Sequence, residues 1–449
     1  MANPTEATIF APATAPGRAG LAVVRISGPG AMGALRFLTG RGEFPPRRMV
    51  RARFCAAFPA EAVDSGLAVW FPAPASFTGE DVAELHVHGS AAVLTRLLQV
   101  LAALPGLRWA TAGEFTRRAF AAGKLDLAEV EGLADLIAAE SESQRRQALA
   151  QMDGALSRAV EDWRARAVKA LALMEATIDF ADDELPGDVE ARARTAMAGL
   201  RAELGRFLES ARVGARVREG LTVAILGAPN VGKSSLLNRL AGWEAAIVSP
   251  VAGTTRDRVA VPMAVHGMPV TLLDTAGLRD SADPVEAEGV RRARAAAGSA
   301  DVRLAVFSAD SWPAAADPTW DWVDESTVVA VNKADLAPVS APAPKDCGAC
   351  IAVSAKAGTG LAGLADALAR AVAAQSEIAS GVSAPLTRER HRAQVLAASQ
   401  ALDRALARPE IELAAEDLRL AVRELGRITG RVDVDEVLDA IFGEFCIGK

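Results

Sequence analysis

"GAPNVGKSS", residues 227–235, is the stretch that decides the fold of this 449-residue chain. It fits the pattern G-x-x-x-x-G-K-[ST], directly after the buried-strand pattern LTVAILG and directly before a helical pattern. In that context the glycines let backbone N–H groups close around phosphate oxygens, Lys233 balances the β- and γ-phosphate charge, and Ser234 ligates Mg²⁺. A glycine-rich turn that binds nothing is the alternative, and the strand–helix context disfavours it.

Further buried runs follow this loop and alternate with segments of helical length. They are VTLLDTAG, VRLAVFS and TVVAVNKAD. Such alternation is typical of a doubly wound parallel sheet with helices on both faces. We therefore predict a P-loop α/β domain over residues 221–375.

Three shorter motifs in chain order identify the nucleotide as GTP. AGTTRD (252–257) offers Thr255 as a second Mg²⁺ ligand, DTAG (274–277) ends a strand, and NKAD (332–335) ends another. Asp335 can accept hydrogen bonds from both N–H donors of guanine, and adenine lacks that pair, so a buried aspartate would reject ATP. The predicted GTP-binding residues, including the SAK segment, are Asn230, Val231, Gly232, Lys233, Ser234, Ser235, Ser249, Thr254, Thr255, Asp274, Thr275, Ala276, Gly277, Asn332, Lys333, Asp335, Ser354, Ala355 and Lys356.

The residue after DTAG is Leu278, where many GTPases carry a glutamine that orients the attacking water. The Asn230 amide oxygen, with backbone carbonyls of the segment between Ser249 and Thr255, could hold a monovalent cation that neutralises developing charge. A turn-forming role for Asn230 fits its position equally well. Glu286 or the nearby Glu288 could hold the water, although composition alone favours a solvated acidic loop.

The rest of the chain divides by its periodicity. Residues 1–120 alternate short strand patterns with turns, and apolar residues recur every three or four positions through 121–220 and again through 376–449. We expect an N-terminal α/β domain and a helical domain into which the GTPase domain is inserted. Insertion is physically easy because the termini of a domain often lie close together.

Composition limits the function classes. A net charge of −7 argues against a protein coated in nucleic-acid-binding charge, so RNA contact would need local basic patches. The N-terminus lacks a secretion-signal pattern, and no stretch is apolar enough to span a membrane. Four cysteines in a chain of this length do not form a disulfide framework. We expect a cytoplasmic protein.

Four further stretches resemble one known family. They are PGRAGLAVVRISG (16–28), SFTGEDVAELHVHG (76–89), GEFTRRAFAAGKLDL (113–127) and the terminal FCIGK (445–449). With the GTP motifs, they make essentially the full chain resemble the bacterial tRNA uridine-5-carboxymethylaminomethyl modification GTPases. The resemblance implies a folate-binding N-terminal domain that also dimerises, a helical domain and a K⁺-activated GTPase domain.

The same resemblance implies roles for particular residues. It makes Glu286 the residue that positions the catalytic water, beside Asn230 and Lys233 in the catalytic set. It makes K⁺ ligands of Asn230, Ser249, Val251 and Thr254. It also implies a site for a tetrahydrofolate derivative, in the 5-formyl or 5,10-methylene form, at Arg25, Glu84, Lys124 and Lys449.

The implied partners are GTP, tRNA and a flavoprotein. The family modifies the wobble uridine with a folate one-carbon unit, and the flavoprotein brings the FAD and NADH chemistry. The resemblance implies a homodimer that forms a heterotetramer with the partner. A different class of function, a regulatory switch GTPase acting on the ribosome or an assembly factor, would need neither the folate-like segments nor the FCIGK tail.

Four other features suggest chemistry more weakly. Cys446 in the tail is interpreted as a residue for packing or tail positioning and not as a nucleophile, and CGAC (347–350) lacks the second cysteine pair of a zinc site. HVH (86–88) places two imidazoles on one strand face, as at metal sites, but no third ligand is evident, and we interpret them as structural or as support for Glu84. The basic clusters RRMVRAR (47–53) and TRRAF (116–120) could contact RNA phosphates, although such runs are usually solvated.

Overall fold

The computed structural model separates into two compact units. One unit comprises residues 1–134 and 426–449, and the other comprises 135–425. The residues that the structure describes are 7–57, 61–179, 188–241, 260–265, 268–274, 298, 300–313, 315–340, 342–377, 387–432, 438, 441–443, 445 and 448. The division into segments 1–120, 121–220, 221–375 and 376–449 stays a prediction.

The first unit is built on a six-stranded sheet. Its order is β3-β4-β5-β2-β1-β6, antiparallel except for the parallel pair β1–β6. The strands are β1 (Thr8–Pro12), β2 (Ala19–Ser27), β3 (Val50–Ala57), β4 (Glu61–Phe71), β5 (Val82–Gly89) and β6 (Leu107–Trp109). Along β2, Val24 and Ile26 are fully buried while Arg25 between them is only partly so, the alternation of a sheet whose two faces differ.

Two helices, α1 (Ala31–Thr39) and α2 (Ala91–Ala103), cover one face of this sheet. Leu35 and Leu97 of these helices share a core with Phe10, Phe54 and Leu85 of the strands. The Ser90 hydroxyl caps α2 by accepting the Val93 N–H. Because α1 and α2 bury the Val24/Ile26 face, Arg25 and its neighbours face the other way.

The C-terminal residues of the chain belong to this first unit. Ile441, Phe442 and Phe445 pack on Leu127 and Val130 of α4 (Leu127–Ala138), which follows α3 (Glu114–Ala121). Gly113, with φ of +67°, lies so close to the Phe442 carbonyl that any side chain would clash there.

The second unit begins with a helical bundle. Its helices are α5 (Glu142–Met152), α6 (Ala155–Asp179), α7 (Val189–Glu219), α10 (Glu389–Ala407) and α11 (Ile411–Ile428). Trp163 of α6 is almost fully buried and donates its indole N–H to Glu203 of α7 at 2.8 Å. The Arg201–Asp403 ion pair joins α7 to α10, so the helical segments before and after the sheet pack together.

The second sheet carries the P-loop. Its order is β12-β11-β10-β7-β9-β8, and only the edge strand β8 runs antiparallel to its neighbour. Its elements are β7 (Leu221–Leu226), α8 (Lys233–Ala241), β8 (Ala260–Val265), β9 (Met268–Asp274), β10 (Val302–Ser308), a 3₁₀ turn (Pro318–Trp322), β11 (Val328–Asn332), β12 (Ala349–Ala352) and α9 (Leu361–Glu377). The fold-class prediction of α/β plus all-α, with a P-loop GTPase sheet, is confirmed.

The core of this α/β region lies between the sheet and its helices. Leu236 and Leu240 of α8, with Leu364 of α9, pack on one face, and Phe307 stacks on Trp320 on the other. Because the strands are parallel, the loops after β7, β9, β11 and β12 all emerge at one edge. Among the described helices, none is long and apolar enough to cross a membrane.

Candidate functional site

The phosphate loop joins β7 to α8 through backbone conformations that few side chains tolerate. Gly227 has φ of +149° and lies against the Val306 carbonyl, and Gly232 has φ of +93° and lies against the Asn332 amide. A Cβ at either position would clash. Asn230 adopts the left-handed conformation at φ of 64° and is exposed. The glycines of the motif are thus required by close approach of neighbouring strands as well as by the loop.

Lys233 is almost fully buried at the start of α8. Its Nζ donates to the carbonyls of Gly227 and Ala228 at 2.5 and 2.7 Å. The ammonium group therefore lies within the loop whose N–H groups are expected to surround phosphate. Ser234 and Ser235 follow on the exposed first turn of α8, where the helix dipole favours anions.

Asn332 joins the phosphate loop to the loop after β12. This buried side chain donates from Nδ2 to the Val231 carbonyl at 2.9 Å and accepts the Ala355 N–H at 3.0 Å. Arg239 of α8 makes a second link, since its Nε donates to the Ala355 carbonyl at 2.9 Å and its Nη2 to the Lys356 carbonyl at 3.2 Å. Arg239 carried no signal in the sequence, because its partners lie more than a hundred residues away.

The predicted guanine-binding residues meet at the ends of β11 and β12. The Ser354 hydroxyl donates to the Asp335 carboxylate at 2.6 Å, and this bond lowers the Asp335 pKa from its ordinary value. Asp335 is exposed, whereas the sequence argument assumed a buried aspartate. The predicted penalty against adenine would therefore arise when the base itself covers the carboxylate. Lys333 adopts the left-handed conformation at φ of 62° beside it.

Several predicted residues fall outside the described part of the chain. Asp274 ends β9 as predicted, but its side chain is not among the described ones. The others are Ser249, Val251, Thr254, Thr255, Thr275, Ala276, Gly277, Glu286 and Lys449, together with Cys446. Of the predicted cation ligands, the described ones are Asn230 for K⁺ and Ser234 for Mg²⁺.

A second polar group lies on the first unit's sheet, on the face away from α1 and α2. Arg25 of β2 and Glu84 of β5 are directly paired in register, and the Arg25 guanidinium donates to Glu84 at 2.9 Å. Both side chains are about one-sixth exposed. The guanidinium also lies over the rings of Phe77 and Phe115, 5.4 and 5.8 Å from their centroids. Two of the four predicted folate residues therefore meet.

His86, of the HVH motif, lies beside this pair. Its Nε2 is buried without a hydrogen-bond partner among the described residues, 3.6 Å from the second Glu84 oxygen. The HVH interpretation anticipated support for Glu84, but not this unpartnered nitrogen. The other histidine of that motif, His88, is exposed and bonds Asp64 at 2.9 Å.

Of the remaining two predicted folate residues, Lys124 is among the described residues and Lys449 is not. Lys124 is exposed, and its chain lies near Gly79. Gly448, next to Lys449, lies against the Pro12 carbonyl, and Pro12 follows Ala11, the register partner of Arg25. The C-terminus therefore approaches the strand that neighbours Arg25.

A buried ion-pair network in the same unit accounts for one basic cluster. Arg118 of TRRAF is almost fully buried and bonds Glu80 at 2.9 Å and Glu114 at 3.0 Å. Burial alone would raise the Glu114 pKa, but hydrogen bonds from Arg108, the Thr111 N–H and Arg118 lower it to about 2. Arg118 therefore serves folding of this unit, whereas Arg117 of the same cluster is exposed, and RNA contact by TRRAF stays a prediction.

The cysteine motif shows no metal-site geometry. Cys347 and Cys350 are reduced, and burial raises the pKa of both thiols. Across the described residues, no group of three or more His, Cys, Asp or Glu side chains is arranged to hold a metal ion.

Comparison with known proteins decides the family. The model described as "MnmE helical domain" matches residues 127–446, and that described as "GTP-binding protein TrmE N-terminus" matches residues 8–124. The chain belongs to the MnmE family of tRNA modification GTPases. The resemblance inferred from the sequence motifs is thereby confirmed.

Full-length relatives of the same family match nearly the whole chain. The tRNA modification GTPase MnmE of Paramagnetospirillum magneticum is 53% identical over 98% of this chain and 99% of its own length. That of Parvibaculum lavamentivorans is 52% identical over 98% of this chain and 100% of its own. Among solved structures, a point variant of Aquifex aeolicus Era bound to GDP·AlF₄⁻ matches at 29% identity and a TM-score of 0.27, covering 33% of this chain and 56% of that one.

Proposed function

We propose that this GTP hydrolase of tRNA modification is K⁺-activated and supports 5-carboxymethylaminomethyl modification of the wobble uridine, position 34, in certain tRNAs. It acts as a cytoplasmic homodimer, binds a tetrahydrofolate derivative in its N-terminal domain, and forms a heterotetramer with a flavoprotein that brings FAD and NADH. Family membership supports the coarse activity. The finer statements rest on the residues of the two polar sites.

The phosphate loop supports the catalytic part of the proposal. Ser234 and Thr255 would ligate Mg²⁺, and Asn230, Ser249, Val251 and Thr254 would ligate K⁺. These cations would neutralise the charge that develops on the phosphate oxygens. The exposed, left-handed Asn230 is free of the interior packing that would keep its amide from a ligand. Glu286 would position the water that Leu278 cannot, and Lys233 would bind the transferred phosphoryl group.

The Arg25–Glu84 pair is the single observation that carries the folate part. A carboxylate such as Glu84 can accept two hydrogen bonds from the amino and ring N–H groups of a pterin, and cations at Lys124 and Lys449 suit a glutamate tail. The unpartnered His86 nitrogen beside Glu84 fits a polar ligand that completes the hydrogen bonding there. The folate would supply the one-carbon unit. A regulatory switch needs no such group.

The catalytic proposal is tested by GTP hydrolysis in K⁺ and Na⁺ at equal ionic strength. We expect strong acceleration by K⁺, its loss in Asn230→Ala, and near inactivity of Glu286→Ala at saturating K⁺. Glu288→Ala and Asn238→Ala are the matched controls, and each should behave as wild type. Equal wild-type rates in the two salts would refute K⁺ activation and point instead to an external activator.

The folate proposal is tested by equilibrium binding of 5-formyltetrahydrofolate to the full-length protein. Glu84→Gln should weaken binding at least tenfold, since it removes the charged acceptor. Glu61→Gln is the control, because Glu61 is an exposed strand glutamate of the same unit, paired with Arg96. The switch alternative predicts no saturable binding to wild-type protein.

A further inference from the structure

Six arginines surround β3, the edge strand of the first unit's sheet. They are exposed and are accompanied by a single carboxylate, Glu43, so that residues 36–53 carry a local charge of +5 in a chain of net charge −7. The six, which we call the β3 arginines, are Arg36, Arg41, Arg47, Arg48, Arg51 and Arg53. This segment is therefore strongly basic in an acidic chain.

Hydrogen bonds place these arginines next to one another. Arg36 of α1 donates to the Gly42 carbonyl at 2.8 Å, and Arg41 donates to the Arg51 carbonyl at 3.1 Å. Arg51 and Arg53 alternate with the buried Ala52, so both point to the same outer face of β3. Arg47 and Arg48 lead directly into the strand. These contacts bring Arg36, Arg41 and Arg51 close to the sheet edge, where Arg53 also lies.

None of the β3 arginines forms an ion pair with a carboxylate among the described residues. Exposed arginines elsewhere in the chain commonly do: Arg96 pairs with Glu61, and both Arg145 and Arg146 pair with Glu142. Arg48, Arg51 and Arg53 carry no side-chain hydrogen bond to any described residue either. Each guanidinium has five N–H donors in a rigid fork that matches phosphate geometry.

We propose that the β3 arginines bind the phosphate backbone of RNA, in this case the tRNA on which the proposed function acts. The inference rests on that function for the identity of the polyanion and on the structure for the surface. An RNA helix offers phosphates at regular spacing, which a row of outward-facing arginines along a strand edge can contact together. Such contacts position RNA without reading its sequence.

Two alternative roles for this surface predict different results. Charged residues on an edge strand also prevent edge-to-edge aggregation, and that role needs charge of either sign. A basic surface could alternatively contact an acidic face of a second copy of the chain. Reversal of charge separates all three roles, because it preserves edge protection, abolishes phosphate binding, and disrupts a charged interface between copies.

The test measures affinity for a transcribed tRNA with uridine at position 34, from 50 to 200 mM salt, using full-length protein. The variants are Arg48→Gln/Arg51→Gln/Arg53→Gln and the corresponding triple glutamate. The matched control is Arg96→Gln/Arg145→Gln/Arg146→Gln, which removes the same charge from ion-paired arginines. Light scattering and GTP hydrolysis are recorded for each protein, and both should match wild type.

We expect the glutamine triple to reduce the slope of log affinity against log salt by about 2.7, if each arginine contacts one phosphate. Its deficit relative to wild type then shrinks about 40-fold between 50 and 200 mM salt. The control should keep the wild-type slope.

Wild-type affinity and slope in both β3 variants would overturn the proposal and leave the function intact. Changed oligomer size with unchanged RNA affinity would assign the surface to a protein interface. Wild-type protein without saturable tRNA binding would overturn this proposal together with the proposed function.

Discussion

Replacing Asn332 by alanine removes both hydrogen bonds by which one buried side chain joins the phosphate loop to the loop after β12. The Val231 carbonyl and the Ala355 N–H lose their partner at 2.9 and 3.0 Å, respectively. Leaving a buried backbone group unsatisfied costs about 1–3 kcal/mol, so the variant should lose about 2–6 kcal/mol of local stability. Asn332→Asp keeps an acceptor for Ala355 but turns a buried carboxylate oxygen towards the Val231 carbonyl, so it should be destabilised at least as much as alanine.

The affinity for nucleotide should fall because of the same loss of local stability. If GDP binding must restore about 2 kcal/mol of this lost local stability, the affinity for GDP falls about 30-fold in Asn332→Ala. Equilibrium titration with a fluorescent GDP measures this, and hydrogen exchange at the Ala355 amide measures the local opening. Asn238→Ala, on the exposed side of α8, is the control and should change stability by less than about 0.5 kcal/mol. Wild-type GDP affinity with an equally protected Ala355 amide in Asn332→Ala would refute the coupling.

Three further predictions concern other contacts. The pKa of Glu114 is lowered to about 2, so its ionised carboxylate stabilises the first unit above pH 4.5. About 3 kcal/mol of the free energy of unfolding should therefore be lost as the pH falls from 4.5 towards 2, and Glu114→Gln should flatten that part of an acid-unfolding curve. Gly232→Ala places a Cβ against the Asn332 amide at a positive φ and should abolish GDP binding. Gly363→Ala, in α9, has room for the Cβ and should bind GDP as wild type does, and nucleotide titration measures both. Arg239→Ala should weaken GDP binding about tenfold, because it frees the loop that Arg239 holds, and Arg239→Lys should bind with an affinity between alanine and wild type. Equal dissociation constants for wild type and both variants would contradict that role.

Local motifs carried most of what the sequence predicted correctly. The P-loop is one continuous turn, so nine consecutive residues sufficed to predict the strand before it and the helix after it, and both are present. The alternation of buried runs with helical segments likewise predicted the doubly wound sheet. The family followed from several long motifs in order, and its confirmation rests on matches along nearly the whole chain.

Contacts between distant segments were decided by the tertiary structure. The pairing of Arg25 with Glu84 depends on β2 and β5 being neighbours, and the link from Arg239 to the loop after β12 depends on where α8 lies. The basic clusters could not be told apart from the sequence for the same reason. Arg118 pairs with Glu114 of its own helix and with Glu80 of a distant loop, whereas the β3 arginines pair with no carboxylate among the described residues. Periodicity and motif spacing report the conformation of consecutive residues. Burial and pairing depend on which elements pack together, and that arrangement decided which of these charges serve the fold and which remain exposed to a ligand.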